Sequence, residues 1–290
     1  MKPVEVTHTG VGATTVADVV GARTLLFVPG DRPDRYAKAA SAGADVMIID
    51  LEDAVRPEAK DSARESAAQW FADGNPGIVR INAAGTEWHQ ADLDALADVV
   101  DVVFLPKAES PDAVTDVGAR LRPGGGVLAL VETARGVLTA PQIAALPGVC
   151  RLAFGNFDLS TELGIDRDDH LALAPMRTGL VVASAAAQLP PPIDGVSGAI
   201  DDADAIEADA SHAARLGFGG KLCIHPRQLQ SAGGPFVPSE ESVAWARRVL
   251  EVVAESGSGA AVLDNEMIDR PVVDRARRIL DAAGVRDETP

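Results

Sequence analysis

Val46-Met47-Ile48-Ile49-Asp50-Leu51-Glu52-Asp53 sets four apolar residues in a row and then three carboxylates within four positions. A run this short that is apolar on both faces fits a strand covered on both sides, as in a parallel sheet flanked by helices. Residues 57–72 follow with Ala-rich, helically spaced sequence, so the unit is strand then helix. The same unit recurs in both directions. Runs at 24–29, 46–50, 78–82, 102–106, 127–132, 151–155, 192–196 and 220–225 alternate with segments such as 57–72, 110–122, 174–188 and 201–216, each long enough for at least two helical turns. Eight such units in about 250 residues match a closed (β/α)8 TIM barrel, whereas an open doubly wound sheet more often stops at five or six strands.

The expected organisation is an N-terminal leader over 1–22, the barrel over 23–233 and a C-terminal helical extension over 234–290. In that extension, Ser239 is placed to cap a helix over 239–255 that buries Val243, Ala246, Val249, Leu250 and Val253. A last helix near 270–283 turns Val272, Ala276, Ile279 and Leu280 inward.

Composition narrows the function. Among 290 residues, Lys and Arg number 26 and Asp and Glu 43, a net charge of −17 that disfavours nucleic acid and anionic membrane surfaces as partners. Only 4% of residues are aromatic, too few for base-stacking platforms. No apolar run reaches the roughly 20 residues of a membrane span, and Cys150 and Cys223 read as buried thiols in a reducing compartment. A cytoplasmic location is expected. Gly219-Gly220-Lys221-Leu222 fails as a phosphate loop because Leu222 replaces the hydroxyl residue, and the five histidines lack zinc spacing.

In a βα barrel the C-terminal strand ends face the active site. Here they carry Asp50, Glu52 and Asp53, then Arg80 and Asn82, Lys107, Glu132 with Arg135, and finally Asp158. Crowded carboxylates repel unless a cation neutralises them, and Glu132 with Asp158 supplies two hard oxygen ligands suited to Mg²⁺. The alternative is that either carboxylate caps a helix or pairs with Arg135. Arg80, flanked by Ile78, Val79 and Ile81, needs an anionic partner: a substrate oxyanion, or Glu52 or Asp53. Lys107 suits a Schiff base or a salt bridge to Glu52. His225 reads as a core histidine, and Lys60 with Arg64, spaced i and i+4, as an exposed helix face that could also meet phosphates.

These residues resemble the citrate lyase β-subunit-like family of CoA-ester lyases. The resemblance is carried by Arg23-Thr24-Leu25-Leu26-Phe27-Val28-Pro29-Gly30, Asp50-Leu51-Glu52-Asp53, Val79-Arg80-Ile81-Asn82, Leu105-Pro106-Lys107-Ala108-Glu109, Val131-Glu132-Thr133-Ala134-Arg135-Gly136, Ile224-His225-Pro226 and Met267-Ile268-Asp269-Arg270-Pro271, spanning about 22 to 283. It implies a barrel of the phosphoenolpyruvate/pyruvate superfamily, assembled as a homotrimer or a dimer of trimers. The implied metal is Mg²⁺ on Glu132 and Asp158, with Arg80, Glu52 and Asp269 catalytic and Arg80, Glu132, Arg23 and Lys107 on the substrate. Asp269 would act as acid/base in a neighbouring subunit, although Asp269-Arg270-Pro271 and Asp31-Arg32-Pro33 both also read as helix N-caps.

The implied reaction is reversible cleavage of a 3-hydroxyacyl-CoA such as malyl-, methylmalyl-, citramalyl- or citryl-CoA to an acyl-CoA and a 2-oxo acid. Two alternatives stand beside it: a citrate lyase β subunit serving an acyl carrier protein, and a class II pyruvate aldolase on free hydroxy-oxo acids. The sequence departs from the family at Gly155-Asn156-Phe157-Asp158-Leu159, where an acidic residue usually precedes the aspartate, and at Asp264-Asn265-Glu266, where a glycine is usual.

Overall fold

Eight parallel strands close on themselves in chain order in the computed structural model, which describes residues 12–256, 261–264 and 266–284. The strands are β1 (Thr24–Pro29), β2 (Val46–Asp50), β3 (Ile78–Arg80), β4 (Val102–Leu105), β5 (Gly126–Val131), β6 (Val149–Phe154), β7 (Ile193–Asp194) and β8 (Gly220–Cys223). Every expected run is a strand, and β8 returns to pair with β1 through Leu25↔Leu222. The helices are α1 (Val16–Gly21), α2 (Tyr36–Ala40), α3 (Lys60–Ala72), α4 (His89–Leu96), α5 (Pro111–Arg120), α6 (Ala134–Ala144), α7 (Asn156–Leu163), α8 (His170–Ala186), α9 (Ala203–Leu216) and α10 (Leu229–Gly233). Side chains from the strands, among them Leu25, Ile48, Ile78, Phe104, Leu128 and Ile193, fill the barrel.

The described part of the leader belongs to the barrel. Thr15 and Asp18 form a capping box that starts α1, and Val19 is fully buried against the bottom layer of the core. Arg151 fixes it there: its Nη1 donates to the carbonyls of Val19 (2.9 Å) and Ala22 (2.6 Å), and its Nε to that of Pro191 (2.7 Å). The residues before 12, including His8, lie outside the described residues.

Residues 234–290 form a second compact unit. Its described elements are α11 (Glu240–Ser256), the antiparallel pair β9 (Ala261–Leu263) and β10 (Glu266–Ile268), and α12 (Arg270–Ala282). Ala246, Val249, Ala276 and Leu280 are its core. Ser239 Oγ accepts the Ser242 N–H and Asp269 Oδ1 the Val272 N–H, so both act as the expected caps. Asp31 does not: Arg32 occupies the N-cap position of that short turn, with no side-chain cap. Asn265, in the departure from the family pattern, lies outside the described residues.

Candidate active site

Parallel pairing of β2 with β3 places Asp50 opposite Arg80, and an arginine in that buried position takes the nearest carboxylate with both arms. Arg80 Nε donates to Asp50 Oδ1 and Nη2 to Oδ2, both at 2.7 Å. Nη1 stands 3.1 Å from Glu52 Oε2, Asp53 is 3.8 Å away, and the guanidinium lies 4.8 Å from the Phe27 ring centre. Burial alone would push the Asp50 carboxyl up. The Arg80 charge and hydrogen bonds, with the N–H groups of Glu52 and Ala54, reverse that and hold it below the ordinary range. The partner expected from sequence was Glu52 or Asp53; Asp50 is the principal one because it shares Arg80's register and face.

Lys107 follows β4 in a left-handed conformation, φ 47°, which costs a side-chain-bearing residue about 1–2 kcal/mol. The turn gives its N–H to Glu132 Oε1 at 2.9 Å and aims its ammonium among the carboxylates. Nζ is 2.6 Å from Glu52, 3.4 Å from Asp158 and 4.0 Å from Glu132. Burial works against this charge, but the bond to Glu52 raises its pKa above the ordinary lysine value. A salt bridge therefore describes Lys107, and a Schiff base, which needs a neutral amine, does not.

Glu132 is 4% exposed, and burial, then the Glu52 charge, push its carboxyl up to about 8 against the pull of Arg80 and Lys107. Glu52 is raised by burial as well, and its Oε2 is a buried oxygen with no hydrogen-bond partner. Gly155 makes room for this arrangement: a Cβ there would fall 2.3 Å from Glu132 Cβ and 2.8 Å from its Oε2. Asp158 comes from the first turn of α7 and is 42% exposed at the rim. A cavity of about 390 Å³ opens at the C-terminal mouth, with Asp50, Asp53, Arg80, Glu132, Asn156 and Asp158 on its polar side.

The structure thus gathers Arg80, Glu52, Lys107, Glu132 and Asp158, and leaves other candidates elsewhere. Arg23 precedes β1, at the opposite end of the barrel from the mouth; its backbone N–H binds Asp45 and its carbonyl accepts from Lys221. It cannot touch a substrate at the mouth. Asp269 lies in the second unit as the cap of α12. Lys60 is buried rather than exposed: Nζ donates to the carbonyls of Leu51 (2.6 Å) and Glu52 (2.7 Å) and to Asn82 Oδ1 (2.7 Å), tying the acidic loop to β3. Arg64 is spent on Asp92 and Asp61. His225 is half-buried and accepts the Arg227 N–H, capping a turn instead of sitting in the core. Arg135 is exposed on α6.

Among the described residues no three His, Cys, Asp or Glu gather tightly enough to cage an ion. Glu132 and Asp158 nevertheless fit a hard divalent cation that keeps water and substrate in the rest of its shell. Their donors are carboxylate oxygens, Glu132 resists ionising without a positive partner, and Gly155 leaves its carboxylate room.

Closed barrel, acidic mouth and paired cations at the strand ends define an enzyme of the (β/α)8 class. A family model for HpcH/HpaI aldolase/citrate lyase matches residues 23–226, and the chain belongs to that family, a family of lyases. Similar proteins include a citrate lyase subunit beta-like protein of Mycobacterium tuberculosis, 40% identical over 267 residues (89% of this chain, 94% of the relative). A (3S)-malyl-CoA thioesterase of Cereibacter sphaeroides is 35% identical, covering 89% of this chain and 93% of the relative. Among solved structures, M. tuberculosis CitE in complex with magnesium, acetoacetate and coenzyme A superposes with a TM-score of 0.78 at 37% identity, covering 91% of this chain and 99% of that one. The citrate lyase beta subunit of the same organism, complexed with oxaloacetate and magnesium, gives 0.68 at 36% identity, covering 76% and 100%.

Proposed function

We propose that this chain is a Mg²⁺-dependent carbon–carbon lyase that cleaves a 3-hydroxyacyl-CoA, of the malyl-, methylmalyl-, citramalyl- or citryl-CoA kind, to an acyl-CoA and a 2-oxo acid, or joins the two. The observation that carries this reading is the buried Glu132 carboxylate beside Asp158, within reach of Lys107 and of the Arg80–Asp50 pair. Relatives in complex with magnesium, coenzyme A and oxo acids support it.

Glu132 and Asp158 would hold the ion, which supplies Lewis-acid stabilisation of the oxygen on the carbon being cleaved. Asp50 fixes the plane of the Arg80 guanidinium, leaving Nη1 to face Glu52 and the cavity, where it can meet negative charge on a substrate oxygen. Lys107 spans Glu52 and Asp158 and restrains their repulsion. Cleavage moves one proton: the hydroxyl gives its proton to a carboxylate of the mouth as it becomes the carbonyl of the 2-oxo acid, and the electrons of the broken carbon–carbon bond stay on the thioester α-carbon, which must gain a proton. Asp269, brought by a neighbouring copy in a homotrimer or dimer of trimers, is the acid in this proposal and the base in the reverse direction.

A pyruvate aldolase on free hydroxy-oxo acids is disfavoured because that branch has a histidine base where this chain has Asp53. Among the described residues no helix is long and apolar enough to cross a membrane, and we place the enzyme in the cytoplasm. The test is a mass-spectrometric assay of the isolated protein on the four CoA esters, with Mg²⁺ and with EDTA. EDTA-sensitive release of acyl-CoA and 2-oxo acid is expected. Silence on all four, with cleavage restored by an acyl carrier protein thioester, would make the chain a carrier-dependent subunit; release of free acid and CoA would make it a thioesterase.

A further inference from the structure

We infer that the site selects a substrate whose hydroxyl carbon bears a single carboxylate and an apolar substituent, and that Phe157 sets this preference. The inference rests on the lyase reading above and names which thioesters that site takes. Its first ground is charge. Asp50, Glu52, Asp53, Glu132 and Asp158 are answered by Arg80 and Lys107 and, behind the acidic loop, by the buried Lys60, so two negative charges remain uncompensated. A divalent ion offsets both. Arg80 is held on both arms by Asp50 and faces Glu52 with Nη1, and Lys107 is held by Glu52 and Asp158. One substrate carboxylate can join the ion, and Arg80 Nη1 is left to the oxygen on the carbon being cleaved, so a second carboxylate finds no further cation among the residues that line the cavity.

The second ground is the opposite wall. Phe27, Phe154, Phe157, Val196, Leu222 and Ile224 line the same cavity, and the Asn156 amide among them has its donor engaged by the Val196 carbonyl at 3.2 Å, leaving an acceptor oxygen that a carboxylate cannot use. Phe157 stands one residue before Asp158 in the first turn of α7, and both line the cavity. The guanidinium of Arg167 stacks on the Phe157 ring at 4.4 Å, with its Nε 3.8 Å from Asp168, and the two line an adjoining cavity that shares Asn156 with this one. A methyl or ethyl group gains by burial against such a wall, whereas a carboxymethyl group loses its water without a replacement partner.

Binding separates this inference from the lyase reading without requiring turnover. Calorimetric titrations of the full chain with Mg²⁺ alone, and then with 2-oxobutanoate and with oxaloacetate in saturating Mg²⁺, compare an ethyl with a carboxymethyl substituent. Mg²⁺-dependent binding of 2-oxobutanoate at least about tenfold tighter than oxaloacetate is expected. Equal affinities, or tighter oxaloacetate, would overturn the inference and leave the lyase reading standing. No Mg²⁺-dependent binding of either acid would overturn both.

Phe157→Lys places a cation on the wall and should shrink the preference at least fivefold when both acids are titrated in Mg²⁺ that saturates the variant. Phe157→Leu should keep the preference. An unchanged ratio in Phe157→Lys would remove Phe157 from the account.

Discussion

Two of the barrel's buried ionic clusters have their charges arranged differently. Against the outer face of β7 and β8, Arg177 Nε meets Asp194 Oδ1 at 2.9 Å, while Lys221 Nζ is 2.8 Å from both Asp194 and Asp209. Two cations face two carboxylates there, and Arg177, Asp194 and Lys221 are sealed from solvent. Despite burial, Lys221 and Arg177 hold the Asp194 carboxyl low, and Asp194 and Asp209 keep Lys221 raised. At the mouth, five carboxylates lie around Arg80 and Lys107, Glu132 is pushed up to about 8, and Glu52 Oε2, 3.1 Å from Arg80 Nη1, accepts no hydrogen bond. A closed set of charges is what holding helices α8 and α9 on a sheet requires; an excess of one sign, left open to a cavity, is what receiving a cation and its substrate requires.

The largest separation of the two clusters is catalytic. Glu132→Gln is expected to lower kcat/KM at least about 10³-fold, about 4 kcal/mol of transition-state stabilisation. Its unfolding free energy in urea without Mg²⁺ should stay within about 1 kcal/mol of the parent, because the neutral amide resembles the protonated acid it replaces. Next comes Lys221→Met, which strands Asp194 and Asp209 and should destabilise the fold by about 3–5 kcal/mol in the same denaturation experiment. A Lys221→Met protein as stable as the parent would break the distinction.

The smallest effect is in the pH dependence. A carboxyl raised in the folded state stabilises below its unfolded value and loses that contribution as pH rises through its folded value, so the Mg²⁺-free melting temperature should fall between pH 4.5 and about 8 through Glu132. Saturating Mg²⁺ or Glu132→Gln should flatten that decline. Asp194, held low, has the opposite sign: its contribution is present above about pH 4 and is lost only on further acidification.

Much of the mouth was legible because a carboxylate or lysine that ends an apolar strand has one place to go in a barrel. What escaped the sequence depends on register and on the third dimension. Asp50 and Arg80 meet because β2 and β3 pair in that register, which neither run specifies alone. Lys60 looked exposed because its spacing with Arg64 suggested a solvated face, yet the carbonyls of Leu51 and Glu52 draw it inward. Arg23 was misplaced for a reason the sequence did contain: it precedes its strand, and the mouth lies where strands end. The β7–β8 cluster was signalled too, by Asp194 and Lys221 within runs otherwise buried on both faces, since a charge in such a strand needs its opposite on a neighbour.

Mn²⁺ in place of Mg²⁺, located by anomalous scattering in crystals of the full chain, tests the central claim most directly. The account predicts one strong peak about 2.2 Å from carboxylate oxygens of Glu132 and Asp158, absent in Glu132→Gln. A peak among other residues, or one that persists unchanged in that variant, would contradict it.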